Sequence, residues 1–95
     1  MFRINRTFEN DLTLLVKLVG EIGAQDLQHW DDSLQSILQH EQRQVIFDFC
    51  DVTRMSTAAV EKLQEAITSR VFLLNGSVAL QNIMRASGHS AQILD

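Results

Sequence analysis

The order of strand-like and helix-like segments in this 95-residue sequence predicts a small α/β fold. Short segments are apolar throughout or at alternate positions, and the segments between them have apolar residues at helical spacing. Strands separated by helices are normally parallel and joined by right-handed crossovers. We therefore expect the order β-β-α-β-α-β-α, with a further edge strand, as one domain over residues 1–95. The expected sheet is mixed, with four to five strands covered by three or more helices.

The first half of the chain supplies two strands and one helix. Phe2–Phe8 alternates apolar and polar residues, which predicts a partly exposed first strand followed by a polar turn at Glu9–Asp11. Leu12–Val19 is apolar on much of both faces, which predicts a strand in a sheet covered on both sides. After a loop at Gly20–Ala24, apolar residues at helical spacing predict a helix over Asp26–His40.

The middle of the chain supplies the central strand and the start of the second helix. Gln44–Cys50 is almost continuously apolar, as expected of a buried strand. Ser56 or Thr57 is placed to cap the helix after it. Cys50 is the single cysteine and cannot form an internal disulfide, so we expect a reducing, cytoplasmic location. Its apolar neighbours predict that Cys50 is a small buried hydrophobic residue.

The last part of the chain predicts one more strand and one more helix. Val71–Leu74 has the pattern of a short strand, and Ser77 can cap a helix that ends at Gly88. Ala91–Leu94 is expected to add an edge strand. An exposed edge there, or at Phe2–Phe8, can pair two copies of the chain, which leaves a homodimer open.

The composition argues against several classes of function. Eight basic and twelve acidic side chains give a net charge of −4, whereas a nucleic-acid-binding face would be basic. No apolar run approaches the roughly 20 residues that span a bilayer, and the N-terminus lacks the pattern of a signal peptide. His29, His40 and His89 have no metal-ligand spacing, so we expect neither a metal nor another cofactor. His40 is expected near the end of its helix.

Catalytic chemistry has little support in the sequence. It contains no glycine-rich phosphate loop, and Ser56 and Thr57 have no evident base nearby, so we do not expect an enzyme. Asp48 and Asp51 frame the C-terminal end of the central strand, the edge where ligands bind in open α/β sheets. Turn formation and the binding of a nucleotide or another small ligand both stay open for these two acids.

Three stretches, in this order and spacing, match the pattern of one known family. Leu15–Gly23 resembles its strand ending in Gly-Glu-Leu-Asp, with Gly23 in place of the aspartate. Val45–Val52 resembles its central strand, with Asp48 at the acidic position, and Val71–Gly88 resembles its last strand and capped helix. The chain thus resembles the STAS family, anti-sigma-factor antagonist-like domains of bacteria that also occur in the cytoplasmic tails of anion transporters.

In that family the functional segment is Asp-Ser-Ser-Gly-Leu at the start of the second helix. Its second serine is phosphorylated by a partner kinase, and phosphorylation releases the partner. The corresponding run here is Ser56-Thr57-Ala58-Ala59-Val60, so the resemblance puts Ala58, which has no hydroxyl, at the phosphoacceptor position. Ser56 and Thr57 are weaker candidate acceptors, because helix capping is their ordinary role.

The resemblance implies a partner-binding surface around the start of the second helix. Its implied residues are Glu21, Gly23, Asp48, Asp51, Arg54, Met55, Ser56, Thr57, Ala58 and Ala59. The implied function is a non-catalytic regulator in bacterial partner switching, which binds an anti-sigma-factor or kinase-like protein without phosphorylation control. The alternative is the small STAS subunit of a phospholipid-transport ABC complex, which packs on the ATPase subunit and presents a hydroxyl residue followed by small residues.

Overall fold

The computed structural model describes residues 1–39 and 41–94, which fold as a mixed sheet with helices packed on it. The strands are β1 (Phe2–Glu9), β2 (Thr13–Ile22), β3 (Gln44–Met55), β4 (Val71–Leu74) and β5 (Ile93–Leu94). The helices are α1 (Leu27–Leu38), α2 (Thr57–Ala66) and α3 (Val78–Ala86), with 3-10 turns at Ala24–Asp26 and Ser90–Gln92. The predicted α/β fold and its element order are confirmed.

The strands lie in the sheet in chain order, β1-β2-β3-β4-β5. β1 pairs antiparallel with β2, and the other three pairs are parallel. Each crossover therefore adds its strand on the same side of the preceding one. Right-handed crossovers that all advance in one direction place their helices on one face of the sheet. The core lies between that face and the three helices.

The prediction that the sheet is covered on both sides at β2 is wrong. Leu14, Val16 and Leu18 are fully buried beneath the helices. Leu15 and Val19 point to the opposite face, are only partly buried and lie outside the core cluster. Apolar residues on both faces of a strand do not show which face a helix covers, because that depends on the direction in which later strands are added. We call this uncovered side of the sheet, which carries Leu15 and Val19, the open face.

Trp30 of α1 stands at the centre of the core and ties it to α2. Its side chain is fully buried, and its indole N–H donates to the carbonyl oxygen of Ala59 at 2.9 Å. Its ring meets those of Phe2 and Phe47 edge-on, with centroids 5.6 and 6.5 Å away. Leu34 is buried on the same side of α1, which confirms the predicted apolar stripe of this helix.

Local chemistry sets the ends of α2 and α3 as predicted. Ser56 and Ser77 are the N-caps, and each hydroxyl oxygen accepts a hydrogen bond of 3.1 Å from a backbone N–H in the first turn of its helix. Gly88 follows α3 with φ +84°, in the left-handed region that favours glycine. These caps supply partners for backbone groups that a helix end otherwise leaves unpaired.

Two other elements are shorter than expected. α1 covers Leu27–Leu38 rather than Asp26–His40, and His40 lies outside the described residues. β5 forms only at Ile93–Leu94, within the predicted Ala91–Leu94, because a 3-10 turn occupies the residues before it.

β3 continues beyond its predicted end as far as Met55, and a bulge interrupts its pairing with β2. The register shifts between Asp48 and Asp51, so that Phe49 and Cys50 stand opposite a single residue of β2. Phe49 stays in the core, whereas Cys50 is exposed. The prediction that Cys50 is buried is therefore wrong. Cys50 alternates with the core residues Phe47 and Phe49 and so points to the open face, which no helix covers.

Candidate functional site

The residues around the start of α2 lie at the edge of the sheet where β2 and β3 end. Glu21 is the register partner of Arg54, and Ile22 is the register partner of Met55. The backbone N–H of Ser56 donates to the carbonyl oxygen of Ile22 at 2.9 Å, which ties the start of α2 to the end of β2. Parallel pairing thus brings together two segments that are far apart in the sequence.

The first turn of α2 contains one buried and one exposed side chain. Ser56 caps the helix, Thr57 is its exposed first residue, and Ala58 is its partly buried second residue. Ala59 is fully buried, its backbone N–H donates to Ser56, and its carbonyl oxygen accepts from Trp30. The side chain of Ala59 is therefore not available at the surface, whereas Thr57 is.

Arg54 provides an exposed positive charge next to this turn. Its side chain is 77% exposed and approaches the carboxylate of Glu21 only to 3.7 Å. An exposed ion pair of this kind contributes little to stability, so the guanidinium is free to bind another acid. The neighbouring Met55 is partly buried and packs against the core.

The loop after β2 is held by an acid that the predicted site did not include. Asp26 accepts a hydrogen bond from the backbone N–H of Gly23 at 3.1 Å. That hydrogen bond lowers the pKa of Asp26 below its ordinary value. The spacing is that of a capping box, in which an acid three residues into a helical turn reaches back to the cap, and it could have been found in the sequence.

Asp48 and Asp51 do not join the start of α2, because both lie on the open face of the sheet. The Asp51 carboxylate pairs with Lys17 at 2.9 Å, and this hydrogen bond and charge raise the pKa of Lys17. Asp48 Oδ1 accepts from the backbone N–H of Cys50 at 2.9 Å and from the side-chain amide of Asn75 at 3.1 Å. Asp48 thus holds the bulge of β3 and the turn after β4.

An apolar groove beside the α2 start was not found from the sequence. It is a cavity of about 180 Å³ between the end of β3 and helices α2 and α3. Its apolar lining includes Phe49, Val52, Met55, Val60, Leu80 and Ile83, with Arg54 also in the wall. Ile83 is 41% exposed, so the groove opens to solvent. Parallel topology could have indicated it, because the loop after β4 must lie at the same edge as the ends of β2 and β3.

Within residues 1–39 and 41–94, no group of three or more His, Cys, Asp or Glu side chains is arranged to hold a metal ion. None of the helices that these residues form is long and apolar enough to cross a bilayer. The α2 start does present an exposed guanidinium, an exposed hydroxyl and an apolar groove. Such a combination of apolar contact and polar rim suits recognition of a protein surface.

Comparison with known proteins covers nearly the whole chain. The family model for the STAS domain matches residues 4–94. The structure of the anti-sigma factor antagonist SpoIIAA in its unphosphorylated form is similar with a TM-score of 0.69 and 19% identity, over 100% of this chain and 87% of that chain. The phosphorylated form of SpoIIAA from Bacillus is similar with a TM-score of 0.68 and 18% identity, over 100% of this chain and 90% of that chain. An anti-sigma factor antagonist from Mycobacterium paratuberculosis is similar with a TM-score of 0.74 and 10% identity, over 98% of this chain and 83% of that chain. No curated protein matches the chain.

Proposed function

The chain belongs to the STAS domain family, and we propose that it is a non-catalytic protein-interaction module in a bacterial, cytoplasmic partner-switching pathway. In this proposal it acts like an anti-sigma-factor antagonist: it binds an anti-sigma-factor or kinase-like protein and so regulates transcription. The interaction is constitutive, because phosphorylation does not control it. The observation that supports the proposal is Ala58, a residue without a hydroxyl in the first turn of α2. The resemblance to the family matches it with the serine that is phosphorylated there.

The absence of a hydroxyl at position 58 matters because this residue lies at the N-terminus of a helix. A phosphate at a helix N-terminus meets free backbone N–H groups and a favourable dipole, so phosphorylation there changes a surface strongly. Ala58 offers no atom to carry one. The hydroxyl of Ser56 is engaged as the helix cap, which leaves the exposed hydroxyl of Thr57 as the other side-chain oxygen within residues 56–58.

The surface around α2 supports docking of a protein. A partner side chain that enters the apolar groove would bury apolar area against Val60 and Ile83. A partner carboxylate at the rim would meet the guanidinium of Arg54, and such charge-assisted hydrogen bonds are stronger than neutral ones. We therefore expect a partner segment with an apolar anchor next to an acid.

The proposal is tested by capturing partners from lysate of the source bacterium with the wild-type chain and two variants. Ala58→Asp puts a charge at the centre of the docking surface, and we expect it to reduce capture of the partner at least about tenfold. An acid in the first turn of a helix stabilises that helix, so the loss would not come from unfolding. Ser36→Asp adds the same charge to the exposed side of α1 and should capture as the wild type does. Equal capture by all three proteins would contradict the proposed surface.

Phosphate mapping of the same captured samples, incubated with ATP, tests the absence of covalent control. We expect no phosphate on residues 56–58 of the wild type, whereas Ala58→Ser restores the family's acceptor and should become phosphorylated. That variant shows whether the kinase is present and active. Stoichiometric phosphate on Ser56 or Thr57 of the wild type would overturn the constitutive interaction.

A second candidate partner is the ATPase subunit of a phospholipid-transport ABC complex. The observation that favours it is the exposed hydroxyl of Thr57, which two small residues follow in the sequence. This pattern resembles the hydroxyl residue followed by small residues that the STAS subunits of those complexes present. The capture experiment separates the two candidates, because an ABC ATPase in place of an anti-sigma-factor or kinase-like protein would identify the second.

A further inference from the structure

The open face of the sheet carries an apolar row that runs across four strands. Phe8 is the register partner of Leu15, Leu15 of Ile46, and Ile46 of Phe72. Register partners share one face of a sheet, so these four side chains lie side by side. Phe8 is 51% exposed, the other three are partly exposed, and none of the four belongs to the core cluster.

Next to this row the face carries two opposite charges in the middle strands. Lys17 of β2 is the register partner of Asp48 of β3. Both hydrogen bonds that Asp48 accepts go to Oδ1, and no described residue donates to Oδ2. Lys17 pairs with Asp51 and, with three ammonium donors, can bind a second acid. The pair is thus able to form further contacts in the direction away from the helices.

We propose that the open face is the interface of a symmetric dimer in which it packs on the same face of a second copy. A two-fold axis parallel to the strands, between β2 and β3, sets β1 against β4 of the second copy and β2 against β3 of the second copy. Phe8 then meets Phe72 of the second copy, and Leu15 meets Ile46 of the second copy. The same rotation sets Lys17 against Asp48 of the second copy, twice across the interface. The face is therefore complementary to itself. Aromatic side chains at the ends of the row meet aromatic side chains, aliphatic ones in the middle meet aliphatic ones, and each Lys17 meets an acid.

The size of the face decides how strong such a dimer is. The two-fold axis superposes the four strands β1–β4, which at about 4.8 Å spacing and about six residues per strand give an overlap of about 19 by 20 Å, or about 380 Å² per copy. Two copies would bury about 760 Å², well below the roughly 1,200 Å² at which stable specific interfaces begin. We therefore expect a reversible dimer. It is independent of the proposed function, because the start of α2 and the apolar groove remain uncovered and point the same way in both copies.

Sedimentation equilibrium of the purified chain tests the dimer, at concentrations from about 1 to about 500 µM, a range chosen to detect a weak, reversible dimer. The wild type should change from monomer to dimer over this range. Ile46→Lys puts a charge in the middle of the apolar row and should stay monomeric. Val78→Lys, at a 73% exposed position on α3, is the matched control and should dimerise as the wild type does.

A charge exchange tests the geometry itself. In a dimer of Lys17→Glu, two acids face each other in each contact, and in a dimer of Asp48→Lys two bases do. Each variant alone should therefore be monomeric. When the two variants are mixed in equal amounts, a heterodimer has one contact between the introduced Glu and the introduced Lys. Its other contact is between Asp48 and Lys17, so the mixture should form a heterodimer. Circular dichroism verifies that each variant is folded. A monomeric wild type at the highest concentration, a dimer that survives Ile46→Lys, or folded variants whose mixture stays monomeric would each overturn the proposal.

Discussion

The indole of Trp30 connects the core to the start of α2, so replacing it should change both the stability of the protein and the first turn of α2, which is part of the proposed docking surface. Trp30→Phe keeps an aromatic ring but removes the N–H that donates to the carbonyl oxygen of Ala59. The lost hydrogen bond costs about 1 kcal/mol. Removing about a third of a buried aromatic side chain costs about 1–2 kcal/mol more, since complete removal costs about 3–5 kcal/mol. We expect the free energy of unfolding to fall by about 2–3 kcal/mol.

Urea unfolding followed by circular dichroism measures this loss, because Trp30 is the sole tryptophan and fluorescence would disappear with it. Amide hydrogen exchange in the first turn of α2 gives the second measurement and should become faster by more than the global loss of stability explains. Leu14→Ala is the matched control: it lies at the opposite end of β2 and should cost about 3 kcal/mol without a selective effect on α2. A loss below about 0.5 kcal/mol, or equal effects of both variants on α2, would refute the connection between Trp30 and the start of α2.

Two further predictions concern the backbone and acid stability. Gly20→Ala should destabilise by about 1–3 kcal/mol in thermal unfolding, because Gly20 has φ +103° and a Cβ there would lie 2.7 Å from the carbonyl oxygen of Met1. Gly88→Ala, at φ +84° in open space, is the control and should cost less, about 1 kcal/mol. The side-chain hydrogen bond from Arg43 lowers the pKa of Glu41 from 4.5 to about 2, so its stabilisation is present in full above pH 4.5 and is lost as the pH falls towards 2. Glu41→Gln should therefore be less stable than the wild type at neutral pH, with the difference disappearing near pH 2; a constant difference would exclude the ion pair as its cause.

Much of the fold was predictable because its signals are local. A serine before an apolar helical stripe identified the caps at Ser56 and Ser77, and a glycine after the stripe identified the end of α3 at Gly88. These signals work because the residues bond to backbone groups within one turn. The bulge of β3 gave no such signal, since it depends on the pairing with β2. The exposure of Cys50 was missed for another reason: its neighbours in the sequence do not show which face of β3 the helices cover.

The candidate site was predictable only in part. Residues next to one another in sequence, from Arg54 to Thr57, do lie together at the sheet edge. Asp48 and Asp51 were assigned to the same surface, but the pleat of β3 and its bulge turn them to the open face. Parallel pairing indicates that the loop after β4 reaches this edge, but which side chains of α3 line the groove, such as Ile83, depends on how the helix packs.

The sequence by itself determined the elements, their caps and the absence of a hydroxyl at position 58, because these depend on residue type and on contacts within a few residues. Only the tertiary structure decided which face of the sheet the helices cover. A strand that is apolar on both sides is compatible with either face, and the helices occupy one because every crossover advances in the same direction. That choice left Leu15, Ile46 and Phe72 partly exposed in a row, and it placed the apolar groove between α2, α3 and the end of β3.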